Sequence, residues 1–272
     1  MASSHSRITL AGSTVLLTGA TGGIGQAIAE TLAARGARLI LSGRRPEALE
    51  RIAGAFGAAT IVADLADRAD VDRLATEAVA ADVDVVIANA ALPASGLLVE
   101  LTPEQIDRML DVNLRAPIAL ARAVAPAMSA RRRGQLVFIA SLSGKAASPA
   151  SSIYSATKFG LRGFALGLRA DLRSHDVGVS IVSPGFISDA GMFATAGVTL
   201  PAGIGTRSPQ DVAAAVVKAI EQDRAEVDVA PLSLRAGAAF ASVAPELAAA
   251  ASRRLGSDRI ARDMSDRQRD QR

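Results

Sequence analysis

The sequence predicts an α/β fold: a single domain built on a doubly wound parallel sheet of about seven strands. Three observations point there. Short runs of Val, Ile, Leu and Ala alternate with longer helix-like runs along most of the 272 residues. The short runs are almost continuously apolar, as strands covered on both faces must be. The first of them leads through a turn with four glycines in seven residues, GATGGIG, into a helix, which is the opening of a Rossmann-type unit.

Taken in order, the strand candidates are 14–18, 37–42, 60–63, 83–88, 135–141, 177–183 and 227–230. Between them lie helical stretches at 24–34, 47–55, 69–80, 103–130, 151–174 and 209–222. Strand–helix alternation of this kind calls for right-handed crossovers. No linker rich in Pro, Gly and Ser divides the chain, so residues 1–272 read as one domain with a core at about 12–230. Residues 186–208 (FISDAGMFATAGVTLPAGIGTRS) fit neither strand nor helix, and a loop that long in a compact domain is usually a lid or a binding loop. Residues 238–265, within a C-terminal extension of about 238–272, read as one or two further helices.

Composition narrows the function classes. Half of the chain is apolar but only 3% is aromatic, so the core is made of Ala, Val, Leu and Ile. The longest apolar run, 230–252, contains Arg235, Pro245 and Glu246, so no membrane span is expected. The N-terminal MASSHSRITLAG has no apolar signal-peptide core, and there is no cysteine; a cytoplasmic protein is expected. Residues 252–272 hold seven Arg and four Asp, which accounts for the whole net charge of +3. The remainder balances at 23 basic against 23 acidic residues, with no basic, aromatic-bearing face for nucleic acid. His5 and His175 stand outside any constellation, and no metal-ligand spacing occurs.

The glycine turn permits a sharp bend and close approach of backbone amides to a pyrophosphate at a helix N-terminus. Two spacings coexist in it. Gly19, Gly23 and Gly25 make G-x-x-x-G-x-G, whereas Gly19, Gly22 and Gly25 make G-x-x-G-x-x-G. The second strand, RLILSGRR, carries no carboxylate to accept from a ribose 2′-hydroxyl and instead ends in Arg44 and Arg45, which suit a 2′-phosphate. NADP(H) is therefore expected over NAD(H).

The most specific feature is Tyr154-Ser-Ala-Thr-Lys158. Tyr154 is the sole tyrosine, and Lys158 is one of three lysines among 30 basic residues. Residues i and i+4 share a helix face. A nearby ammonium is expected to lower the phenol's pKa, so that Tyr154 exchanges a proton with an alcohol or carbonyl while hydride moves to or from nicotinamide.

Together these residues resemble the short-chain dehydrogenase/reductase family over about 12–230. The resemblance rests on TGATGGIG (18–25), Asp64-Leu65, Asn89-Ala90-Ala91, Asn113, Ser141, YSATK and Pro184-Gly185. It implies four catalytic residues: Tyr154 with Ser141 bonding the substrate oxygen, Lys158 also holding the nicotinamide ribose, and Asn113 anchoring a relay water. It implies cofactor contacts from Thr18, Gly19, Gly23, Ile24, Gly25, Asp64 at the adenine, Leu65, Asn89, Ala90, Pro184, Gly185, Ile187 and Ser188. Asp189 stands where the family usually has a threonine, and Ser188 is the candidate replacement. A dimer or tetramer through helices 103–130 and 151–174 is implied as well.

Two further features can be argued physically. Pro117 has no N–H, so the Asn113 carbonyl loses its usual helical partner and becomes available to water. Ala156, Gly160, Gly163 and Gly167 form a small-residue stripe on the helix of Tyr154, suited to close helix packing within or between chains. The leading function is an NADP(H)-dependent oxidoreductase interconverting an alcohol and a ketone or aldehyde. Phe186, Met192, Phe193, Val198 and Leu200 in the long loop favour an apolar substrate. Two alternatives stand beside it: a nucleotide-sugar-type epimerase or dehydratase using the second glycine spacing, and a dinucleotide-binding sensor without turnover. Chain length, Asn89-Ala90-Ala91 and the Ser141–Tyr154–Lys158 spacing favour the first spacing, with Gly19, Gly23 and Gly25 the working glycines.

Overall fold

A computed structural model of the chain describes residues 8–93, 96–190, 205–254 and Arg267. Seven strands form one all-parallel sheet: β1 (Thr14–Thr18), β2 (Arg38–Gly43), β3 (Ala59–Val62), β4 (Val85–Ala88), β5 (Gly134–Ile139), β6 (Val177–Pro184) and β7 (Glu226–Val229). Their order is β3-β2-β1-β4-β5-β6-β7. The chain runs outward from β1 in one direction and then outward from β4 in the other. The crevice where the direction reverses, at the C-terminal strand ends, is where such sheets bind ligands.

Alternate residues of each strand feed two cores. Val15 and Leu17 of β1 face α1 (Gly23–Ala33), α2 (Pro46–Phe56) and α7 (Pro209–Glu221). Leu16 faces α3 (Arg68–Ala80), α5 (Ala116–Ala130) and α6 (Ser152–Leu172). This double coverage is the physical reason for the uninterrupted apolar runs. Among the described residues no helix is long and apolar enough to cross a membrane.

The expected helix 103–130 is instead three pieces: α4 (Pro103–Leu110), a π-helical turn Asp111–Arg115, and α5. The Ala116 N–H bonds the Asp111 carbonyl, five residues back. Pro117 has no N–H to give to the Asn113 carbonyl, and the ladder re-forms one residue wider at that point. The C-terminal helices also start earlier than expected. They are α8 (Leu232–Val243) and α9 (Pro245–Arg254), separated where Pro245 cannot continue the ladder. The long loop is pinned at its ends by a bridge between Ile187 and Arg207. Met192, Phe193, Val198 and Leu200 lie outside the described residues.

The small-residue stripe of α6 faces outward. Ala156, Gly160, Gly163 and Gly167 are all exposed, flanked by exposed Phe159 and Leu166. A Cβ at Gly163 or Gly167 would meet no atom within 4 Å, and only Gly160 approaches another side chain of the same chain, Leu114. Apart from Gly160, the stripe is therefore not explained by packing among the described residues of one subunit.

Candidate active site

Four strand ends supply the site: Thr18 ends β1, Asn89 follows β4, Ser141 follows β5, and Pro184-Gly185 ends β6. The glycine turn after β1 is shaped by two contacts. Gly19 sits at φ +65°, a backbone region that favours glycine, and a Cβ at Gly25 would lie 2.3 Å from the Gly19 carbonyl oxygen. A Cβ at Gly23 would lie 2.5 Å from the Ala190 methyl, whereas one at Gly22 would meet only the Gly19 carbonyl, at an ordinary 3.6 Å. The crowding follows the spacing Gly19, Gly23, Gly25. Gly22 caps α1 without a side-chain hydrogen bond, and the first turn of α1 holds no acidic residue. Its orphan N–H groups and dipole fit a phosphate.

Asn89 and Ala90 act on this turn rather than standing apart from it. The Asn89 side-chain amide donates to the carbonyls of Thr18 and Gly19, each at 3.1 Å. The Asn89 and Ala90 backbone N–H groups both donate to Thr18 Oγ1. The two strand ends that flank the crevice are thereby locked together.

Arg44 and Arg45 are exposed after β2, and their side chains make no hydrogen bond or ion pair among the described residues, so both guanidiniums are available to an anion. Asp64 lies beyond β3, with Leu65 buried beside it. One Asp64 carboxylate oxygen accepts from the Ala66 N–H at 3.0 Å and the other from Arg108 at 2.9 Å. Partial burial opposes its ionisation, but the Ala66 N–H, Arg108 and Arg44 outweigh that and hold its carboxyl below the usual range. Arg108, from α4, was not legible as a site residue, because the pairing joins positions 44 residues apart.

On the other side of the crevice, Ser141 begins a short 3-10 turn, Leu142–Gly144, and its Oγ accepts from the Ser143 N–H at 3.1 Å. The Ser141 side chain acts on the Tyr154 phenol by hydrogen bonding that favours the ionised form. Lys158 is 1% exposed, and its Nζ donates to the Ile139 carbonyl at 3.1 Å and lies 5.6 Å from the centre of the Tyr154 ring. Burial pushes the Lys158 ammonium down to about 8. The Tyr154 phenol departs from expectation: burial pushes it up, and the hydrogen bond with Ser141 only partly opposes that. The dry setting that suppresses the ammonium suppresses the phenolate too.

Asn113 is 1% exposed within the π-helical turn. Its side chain bonds Leu92 in both directions, and Pro117 offers its main-chain carbonyl no N–H. Near the loop, the Ser188 backbone N–H donates to the Arg207 carbonyl, and its hydroxyl turns to the same oxygen at 3.4 Å. Asp189 is exposed at φ +60°, and Ile187 is buried. Thr18, Asn89, Ser141, Tyr154, Lys158 and the glycines thus gather at one sheet edge, while Arg44, Arg45 and Asp64 mark its far end.

Comparison with known proteins agrees with this geometry. A family model described as short chain dehydrogenase matches residues 13–199. A bovine protein named dehydrogenase/reductase SDR family member 7B is 34% identical over 79% of this chain and 73% of its own length. The ketoacyl reductase HetN of a Nostoc strain is 36% identical over 81% of this chain and 79% of its own. Among solved structures, a short-chain dehydrogenase from Sphingobium yanoikuyae in complex with NADPH superposes with a TM-score of 0.73 at 30% identity, covering 79% of this chain and 87% of that one. A metagenomic short-chain oxidoreductase in complex with NADP gives 0.70 at 34% identity, covering 82% and 99%.

Proposed function

This chain belongs to the short-chain dehydrogenase family and is an NAD(P)-dependent oxidoreductase; on that footing we propose that it interconverts an alcohol with a ketone or aldehyde, prefers NADP(H), and uses Tyr154 as its acid–base group. The observation that carries the reading is the Ser141–Tyr154–Lys158 cluster, with Lys158 buried, beside a glycine turn free of acidic residues. Thr18, Gly19, Gly23, Ile24 and Gly25 would line the pyrophosphate, with Asn89 and Ala90 bracing that turn. Asp64 and Leu65 would border the adenine, and Pro184, Gly185, Ile187 and Ser188 the nicotinamide. Arg44 and Arg45 supply the charge a 2′-phosphate requires. The bound nicotinamide supplies or accepts the hydride.

Within the chain, Ser141 orients the substrate oxygen by hydrogen bonding. Tyr154, held protonated by its dry surroundings, donates a proton to a carbonyl as the oxygen gains charge. Lys158 stabilises the tyrosinate left behind, and a water on the Asn113 carbonyl returns the proton. Tyr154 packs with Leu101, Ile106, Met109 and Ile153, which form an apolar wall suited to an apolar substrate. The glycine crowding at Gly23 rather than Gly22 disfavours the epimerase-type reading. The exposed stripe on α6 supports self-association through α5 and α6 into a dimer or tetramer.

Fluorescence titration with NADPH and NADH, followed by a panel of apolar ketones and alcohols, tests this reading. NADPH is expected to bind more tightly, and Arg44→Ala/Arg45→Ala to erase most of that margin. Tighter binding of NADH by the parent protein contradicts the arginine argument. Full ketone reduction by Tyr154→Phe contradicts the acid–base assignment.

A further inference from the structure

The last strand carries two carboxylates on one face, Glu226 and Asp228, two residues apart as the strand period requires. Each reaches a cation from a different catalytic element. Arg162, on α6 two turns beyond Tyr154, forks Glu226 with bonds of 2.6 and 3.1 Å. Lys145, which ends the turn begun by Ser141, donates to Asp228 at 2.7 Å and lies 3.6 Å from Glu226. The Lys145 side chain is only 13% exposed. Such a paired, largely buried arrangement is costly to break from one side, because the remaining carboxylate keeps its desolvation without its partner.

We propose that Lys145 is a positioning residue, tying the Ser141 turn to the same strand that Arg162 ties to the Tyr154 helix, and so setting the Ser141–Tyr154 contact. The inference rests on the reading of Ser141 and Tyr154 as the acid–base pair. The turn has local bonds of its own, from the Ser143 N–H to Ser141 Oγ, from the Gly144 N–H to the Ser141 carbonyl and from the Lys145 and Ala146 N–H groups to the Leu142 carbonyl. On one side Gly144 abuts the Lys158 backbone so closely that a Cβ there would lie 2.7 Å from the Lys158 carbonyl oxygen. The turn is thus pressed against α6, and Lys145 sets where it stops. The Ser242 hydroxyl of α8 donates to the Lys145 carbonyl at 3.0 Å, which joins the C-terminal helix to the same point. A sequence signal was present: in a chain with 27 arginines, Lys145 and Lys158 are two of only three lysines. An ammonium gives a compact charge where Arg162 already occupies the forked geometry.

Because Tyr154 is the only tyrosine and tryptophan is absent, the tyrosinate absorbance band titrates Tyr154 alone, without substrate or cofactor. The hydrogen bond with Ser141 lowers this phenol's pKa, so Ser141→Ala is expected to raise the midpoint. Lys145→Met and Asp228→Asn are expected to raise it in the same direction, by at least half as much. Lys145→Arg keeps the charge but brings a second fork to Glu226, so it should fall between the parent and Lys145→Met, and Ser141→Ala/Lys145→Met should go no further than Ser141→Ala. The proposal is overturned if Ser141→Ala shifts the midpoint while Lys145→Met and Asp228→Asn do not. It is equally overturned if their shift is opposite in sign or adds in full to that of Ser141→Ala. No shift in Ser141→Ala overturns instead the Ser141–Tyr154 contact on which the proposal stands. If Lys145→Met does not fold, Asp228→Asn decides alone.

Discussion

Asn113 and Leu92 bind each other twice: the Leu92 N–H donates to Asn113 Oδ1 at 2.7 Å, and Asn113 Nδ2 donates to the Leu92 carbonyl at 3.0 Å. The pair joins the segment after β4 to the π-helical turn between α4 and α5. Both partners are buried, so neither half can be replaced by water. It leaves the Asn113 main-chain carbonyl as the group for the proposed water relay.

Asn113→Ala removes both bonds and strands the Leu92 N–H and carbonyl. A loss of about 2–4 kcal/mol in urea unfolding is expected, together with loss of turnover. Asn113→Asp keeps the acceptor but loses the donor and buries a charge, so it should be at least as unstable at neutral pH. An alanine variant as stable as the parent contradicts the locking role.

Lys158→Met should gain stability as it loses activity. Holding an ammonium at about 8 instead of 10.5 corresponds to about 3 kcal/mol of destabilisation, part of which is offset by the bond to Ile139. A net gain of about 1 kcal/mol at pH 7 is expected in thermal or urea unfolding. Between pH 8 and 10.5 the unfolded chain holds the Lys158 proton while the folded chain has released it. Stability of the parent should therefore rise with pH across that window, and the advantage of Lys158→Met should shrink. Above the ordinary tyrosine value of 10.0 the raised Tyr154 phenol works in reverse, since the folded chain keeps its proton longer. A parent whose stability falls steadily from pH 8 upward would refute the assignment.

Gly25→Ala and Gly22→Ala should differ sharply. The first places a methyl 2.3 Å from the Gly19 carbonyl and should abolish NADPH binding, with a marked loss of stability. The second meets only an ordinary contact at an extended backbone position, so a change of about 1 kcal/mol or less is expected, with NADPH binding largely kept. Equal effects of the two substitutions, measured by melting temperature and NADPH titration, would show that the crowding at Gly25 does not govern the turn.

Gly163→Trp tests the outward stripe. The position is open within the subunit, so the monomer should fold with an unchanged circular dichroism spectrum. Light scattering after gel filtration should show the mass of the parent assembly falling to that of a single chain. An unchanged assembly would place the interface elsewhere.

Several properties of this protein were determined by sequence alone, because they depend on local pattern. Continuous apolar runs specify strands covered on both faces, and TVLLTGATGGIG specifies a strand, a tight turn and a helix N-terminus in that order. The spacing of Tyr154 and Lys158 puts them on one helix face wherever that helix lies. Pro117 signalled a defect in the ladder at Asn113, though not the π-helical turn that absorbs it. What the tertiary structure decided depends on partners distant along the chain. The glycine turn alone admits two spacings; the rest of the sequence favours Gly19, Gly23 and Gly25, and the structure supplies a physical reason, crowding at Gly23 and Gly25 but not at Gly22. The pKa of Tyr154 turns on how dry its surroundings are, which burial by the whole domain sets and the Ser141 side chain only partly opposes. The Arg108–Asp64 pair and the Lys145–Asp228 link join residues 44 and 83 positions apart. Neither has a periodicity to betray it, because only the order of strands in the sheet brings those side chains together.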